Sequence, residues 1–179
     1  MTGDKLLRHW PAALGVLVAA GTVLGVEHGG QIASVVAASG FVYLAAAAIG
    51  RPGAAWPAFG VTFVLIGLSL RTGFDAVLWV CVAAAALAVI GLLRAGVRPV
   101  WSLPLQSAAM VVLGAAALLA VRADPVIAGV IVSVALFAHA AWDVWHHRTG
   151  RVVARSLAEF CCVLDVLVGV GVLVVTLTL

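Results

Sequence analysis

Seven apolar stretches account for almost the whole of this chain: residues 10–26, 31–50, 54–70, 75–93, 104–121, 125–146 and 157–179. A helix crossing the hydrocarbon core of a bilayer needs about 20 mostly apolar residues, and it must satisfy its own backbone hydrogen bonds because no water is there to do so. The pattern therefore predicts an all-α polytopic membrane bundle of seven transmembrane helices, a single domain over residues 1–179. Little chain is left for loops. All six prolines, Pro11, Pro52, Pro57, Pro99, Pro104 and Pro125, fall at the starts of these stretches or between them, where a missing N–H costs nothing.

Composition agrees. The 179 residues are 65% hydrophobic and 9% charged, with a mean hydropathy of +1.24, whereas a soluble domain is about half apolar and about a quarter charged. The net charge of +3 is carried by too few residues to build a basic face, which excludes nucleic acid as a partner. Membrane lipids are the expected surroundings. Cys81, Cys161 and Cys162 all lie inside apolar stretches, so neither a disulfide framework nor a zinc-finger spacing can be read from them.

Cytoplasmic loops carry the excess of Lys and Arg. With the N-terminus cytoplasmic, Lys5, Arg8, Arg51, Arg94, Arg98, Arg148, Arg151 and Arg155 fall inside and only Arg71 and Arg122 outside. The C-terminus is then expected outside. Trp10, Trp56, Trp101 and Trp145 gather at the inner boundary, where interfacial tryptophan belongs, with Trp142 a turn deeper. The first 28 residues have the outline of a secretory signal, Lys5 and Arg8 ahead of an apolar run, and are read as a retained first span.

Ionisable groups inside a span are costly and point to function. Asp4, Asp75, Asp124 and His9 lie at ends or in short loops and are read as solvated, and Glu27 and His28 as an exposed turn beside Gly29 and Gly30. The sixth span is different, ending His139-Ala-Ala-Trp142-Asp143-Val-Trp145-His146-His147. At about 100° per residue, His139, Asp143, His146 and His147 share one stripe about 100° wide. Imidazole and carboxylate in this arrangement suit zinc or non-haem iron, although one helix cannot complete the shell. His147, at a helix C-terminus, has an equally good explanation in the macrodipole and lipid phosphate.

The seventh span supplies the rest. Asp165 lies about 13 Å inside its start and His139 about 12 Å from the end of its antiparallel neighbour, so the two are expected to meet. Cys161 is one turn before Asp165 on the same face and reads either as a soft ligand or as a small packer. Ser156 and Glu159 have the spacing of a capping box, with Arg155 placed to pair with Glu159. Tyr43, Thr62, Gln106 and Ser107 occupy the inner halves of other spans and are candidates for lining the same cavity.

The box His139-x-x-Trp142-Asp143-x-x-His146-His147, followed by Cys161-x-x-x-Asp165, resembles a group of small bacterial integral membrane proteins of unknown function, over roughly residues 137–170. That resemblance implies a bacterial cytoplasmic (inner) membrane. Asp143-x-x-His146-His147 is also similar to one box of the membrane desaturases and hydroxylases, which carry several such boxes, whereas this chain has five histidines in all. The seven-span architecture with an intramembrane His and Asp site looks like the zinc-binding receptor and ceramidase-type hydrolases, without matching their ligand spacing.

The resulting expectation is an intramembrane metal-binding protein, a metal-dependent enzyme acting on a lipid-like substrate at the cytoplasmic side. Zinc or iron would be held by His139, Asp143 and His146, with Asp165 as fourth ligand or general base and Asp143 and Asp165 as the catalytic carboxylates. A two-metal centre would also recruit His147 and Glu159. The alternatives are a proton-coupled transporter relaying through Asp143, His139 and Asp165, and an accessory membrane subunit whose polar core only fixes helix packing.

Overall fold

The computed structural model describes residues 9–95 and 99–178. Within them lie seven helices and no strand: α1 (Trp10–Val23), α2 (Ala33–Ile49), α3 (Ala55–Thr72), α4 (Ala76–Ala95), α5 (Leu103–Ala120), α6 (Pro125–Thr149) and α7 (Arg155–Thr178). Short 3-10 turns, Gly29–Ile32 and Pro52–Ala54, lead into α2 and α3. Asp4, Lys5, Arg8 and Arg98 lie outside the described residues.

Local chemistry accounts for the boundaries. Pro125 opens α6 while the Asp124 carboxylate accepts from the Val126 and Ile127 amides at 3.1 Å, satisfying donors that the first turn leaves free. Asp75 does the same for the Leu78 amide at 2.9 Å. Gly50, Gly73 and Gly150 end α2, α3 and α6 in the left-handed conformation, the usual helix stop.

Six helices, counting the turns that lead into α2 and α3, are long and apolar enough to cross a membrane among the described residues. The first is not. α1 has 14 residues, about 21 Å against a hydrocarbon core of about 30 Å. It stops three residues short of the expected 10–26 because Leu24 is extended and Gly25, at φ +82°, turns the chain toward α2.

The bundle is built around α2. Of the apolar 18-residue stretch within Gly29–Ile49, 83% is buried inside the protein, against 11% for that within Pro52–Thr72, so α2 is axial and α3 peripheral. The reason lies in its side chains: Ala33, Ala37, Ala38, Gly40 and the run Ala45–Ala48 let α3, α4, α5 and α6 approach closely, as small residues do where lipid offers no hydrophobic driving force. A Cβ on Gly40 would come within 3.0 Å of Met110 Sδ on α5. The long antiparallel pair α6 and α7 closes the other side, and α1 packs chiefly on α7.

Two features fix the register of α6 against α7. At one end the turn before α2 is pressed on Gly129 of α6, which is itself covered by Thr176 of α7; a Cβ on either Gly29 or Gly129 would occupy space already filled, by the Gly129 backbone and by Thr176 respectively. At the other end, the connecting loop buries Val152 and Val153 and lets the Ala154 amide donate to Pro52 O at 3.3 Å. Val152 adopts φ +65° there, a conformation costing a β-branched residue about 1–2 kcal/mol, offset by the burial of the two valines.

Candidate metal centre

The register of α6 and α7 carries His139 to Asp165. His139 Nδ1 lies 2.8 Å from Asp165 Oδ2 and 3.5 Å from Asp143 Oδ2, one turn along α6. His139 is 4% exposed and both carboxylates are fully buried. The axial helix completes the group: the Tyr43 hydroxyl donates to Asp143 Oδ1 at 2.5 Å, its ring meets the His139 ring edge-on at 5.1 Å, and Ser39, one turn earlier on α2, lies against Asp165.

Three polar atoms here have no hydrogen-bond partner, namely His139 Nε2, Asp143 Oδ2 and Asp165 Oδ1. Buried unpartnered polar atoms cost about 1–3 kcal/mol each, and a cluster holding three of them invites a ligand. One potential ligand atom from each of His139, Asp143 and Asp165 falls within 4.8 Å of the other two. Tetrahedral ligands bound at about 2.0–2.1 Å stand about 3.4 Å apart, so a cation would require the 2.8 Å contact of His139 with Asp165 to open and the wider separations to narrow by about 1 Å. Charge permits the same reading. An imidazolium balances one carboxylate of the two, and the second is neutralised either by a proton or, with neutral His139, by a divalent cation shared between both, since uncompensated charge in an apolar interior is expensive.

The other candidate ligands lie elsewhere. His146 is buried but committed: its Nδ1 donates to Trp142 O at 3.0 Å, and its Nε2 accepts from Gln106 Nε2 at 3.2 Å. Gln106 in turn bonds Trp101 O and accepts from Trp142 Nε1, each at 3.3 Å. Both imidazole nitrogens are thus satisfied within a network between α5 and α6. His147 is exposed. Glu159 forms neither the capping box nor an Arg155 pair: its Oε1 sits 3.1 Å from His9 Nδ1, while Ser156 Oγ accepts from Trp56 Nε1 at 3.2 Å. Across the described residues the group that could hold a metal ion is His139, Asp143 and Asp165, and His146, His147 and Glu159 lie apart from it.

Of the cavity-lining candidates, Tyr43 touches the cluster directly and Gln106 acts on His146. Thr62 bonds back to its own helix, and Ser107 Oγ is buried without a partner. Sequence reasoning missed Ser39, whose only signal was its place four residues before Tyr43.

Two outcomes follow from this geometry. His146→Ala is expected to lower stability by about 1–3 kcal/mol, since one buried Gln106 N–H loses its acceptor, and to leave unchanged any metal held by His139, Asp143 and Asp165; elemental analysis beside thermal unfolding checks both, and loss of metal from the folded variant would make His146 a ligand. Tyr43→Phe keeps the ring and removes the hydroxyl that orients Asp143. Metal affinity should fall about ten- to hundredfold, measured by competition with a chromophoric chelator.

No protein-family profile, curated protein or solved structure matches this chain.

Proposed function

We propose that the chain is an intramembrane metalloprotein in which His139, Asp143 and Asp165 hold one divalent cation, zinc or iron, and that it acts as an enzyme on a lipid-like substrate. The observation that carries the reading is that one potential ligand atom from each of three buried side chains falls within 4.8 Å of the other two, while each carboxylate keeps one oxygen, Asp143 Oδ2 and Asp165 Oδ1, without a hydrogen bond. Three protein ligands leave a coordination position for water or substrate. A cation there would act as a Lewis acid if zinc, or support oxygen chemistry if iron. The buried surroundings limit water and favour an apolar substrate.

In this reading α1 is a seventh span, the N-terminus is cytoplasmic and the C-terminus outside, and the membrane is a bacterial cytoplasmic one. The tryptophans support a common interface at one end: Trp10 stacks on Trp56 at 5.4 Å, and the Arg151 guanidinium lies 5.0 Å from the Trp101 ring centre. A proton relay is less well supported. It requires polar groups continuing past the cluster, but Ser39, Thr62 and Thr176 each donate to carbonyls of their own helices, and such back-bonded hydroxyls do not form a conducting chain.

The test is the metal content of untagged protein purified in detergent without chelators, measured by elemental mass spectrometry. About one zinc or iron per chain is expected. Protein that stays metal-free after reconstitution with either ion would contradict the proposal.

A further inference from the structure

Because α1 leans on α7, a crevice of about 620 Å³ remains between these two helices and α2 and α3. The volume is that of a small-ligand site, about 300–1,000 Å³. One end is sealed. Trp10 stacks on Trp56, Phe59 meets Phe160 edge-on at 4.7 Å, and His9 pairs with Glu159. From there the crevice runs to Leu24, Gly25 and Gln31 at the opposite end of the bundle, and its inner wall includes Ser39, Cys161 and Leu164, next to the His139 and Asp165 pair. The void that comes nearest the cluster, with Ser39, Cys161 and Leu164 standing between, thus opens at the end away from the tryptophan-rich boundary, not on the side expected for a cytoplasmic opening.

The walls specify the occupant. They are largely aliphatic and aromatic, and three of their four hydroxyls donate to their own helices: Thr22 to Val18 O at 2.7 Å, Ser39 to Val35 O at 3.1 Å and Thr62 to Phe59 O at 2.9 Å, leaving Ser34 near the rim. A polar ligand lying deep in the crevice would therefore lose hydration and recover few hydrogen bonds. Along α2 the lining extends from Gln31 to Val42, about 16 Å at 1.5 Å per residue. That is about half the 30 Å hydrocarbon core, the depth of one leaflet. Polar groups stand at the rim, where the Glu27 amide donates to Gln31 Oε1 at 2.9 Å.

We propose that this crevice binds one hydrocarbon chain of a lipid from the leaflet at the Gln31 end, with the head group at the rim and the distal carbons at Cys161 beside the cluster. Chain binding stands on the crevice alone; calling that chain the substrate rests on the metal reading. The distal carbons, rather than the head group, are then the part presented to the site.

Two palmitate probes test this in reconstituted wild-type protein, one bearing a photoactivatable diazirine near the methyl end and the other near the carboxyl group. Crosslinks mapped by mass spectrometry should place the first on peptides containing Val42, Phe59 and Cys161, and the second on those containing Leu24, Gln31 and Leu70. Excess unlabelled palmitate should abolish both patterns. Gly67 and Gly21 line the crevice, and a Cβ on either meets nothing within 4 Å. Gly67→Trp and Gly21→Trp should therefore fill the void, eliminating the crosslinks without altering metal content. Labelling confined to the outer faces of α4 and α5, labelling indifferent to competitor, or a reversed order of the two probes would overturn the proposal. Competition in wild type decides the matter even if a tryptophan variant misfolds. Metal content of the same samples separates the two claims: labelled but metal-free protein retains the chain site and removes the metal reading, and metal-loaded protein without crosslinks does the reverse.

Discussion

With a cation held as proposed, alanine at Asp165 is expected to lower metal affinity by more than about a hundredfold, since losing a partner that merely orients a ligand already costs about ten- to hundredfold. It should also destabilise the fold. Asp165 is the 2.8 Å partner of His139 between α6 and α7, and removing one member of a buried ionic pair costs about 3–5 kcal/mol. Asp165→Asn separates the two effects, because the amide keeps the volume and a hydrogen bond to His139 but is a poor ligand. Elemental analysis and thermal unfolding of both variants should show metal lost from each and stability lost mainly from the alanine variant. A folded Asp165→Asn protein with its full metal content would remove Asp165 from the site.

Valine at Gly129 is expected to be the most damaging substitution far from the cluster. Its Cβ would fall on Thr176, with the Gly29 turn pressed against the same stretch of backbone, so neither α7 nor the entry to α2 has room to withdraw. Overpacking in a well-filled core costs about 1–3 kcal/mol, occasionally more. Here the cost is compounded, because parting α6 from α7 also draws His139 away from Asp165. Gly53→Ala is the control, since a Cβ there meets nothing. The melting temperature of Gly129→Val should fall well below those of wild type and the control, and equal values for all three would show that the junction is looser than described.

The helices were legible because a bilayer imposes a length and hydropathy that proline and glycine punctuate. The depth match of His139 and Asp165 followed from counting residues in two antiparallel helices, and the structure places the pair in contact. His146 lies apart from the cluster for a physical reason. A stripe about 100° wide on α6 faces several neighbours, and periodicity cannot say which neighbour takes which part. α7 meets His139, α2 meets Asp143 through Tyr43, and near the helix end α5 brings Gln106 to His146. The Glu159 reading failed similarly: a capping-box spacing describes a local opportunity, but His9 and Trp56, far away in sequence, claim Glu159 and Ser156. The crevice had no local signal, because it results from α1 packing along α7 rather than along α2 and α3.

X-ray absorption at the metal edge, on protein loaded with zinc or iron in detergent or nanodiscs, tests the central claim most directly. The expected first shell is one imidazole nitrogen with carboxylate oxygens at about 2.0–2.2 Å, the imidazole signature disappearing in His139→Ala. A shell of water oxygens alone, a sulfur ligand from Cys161, or an imidazole signal that survives His139→Ala would contradict it.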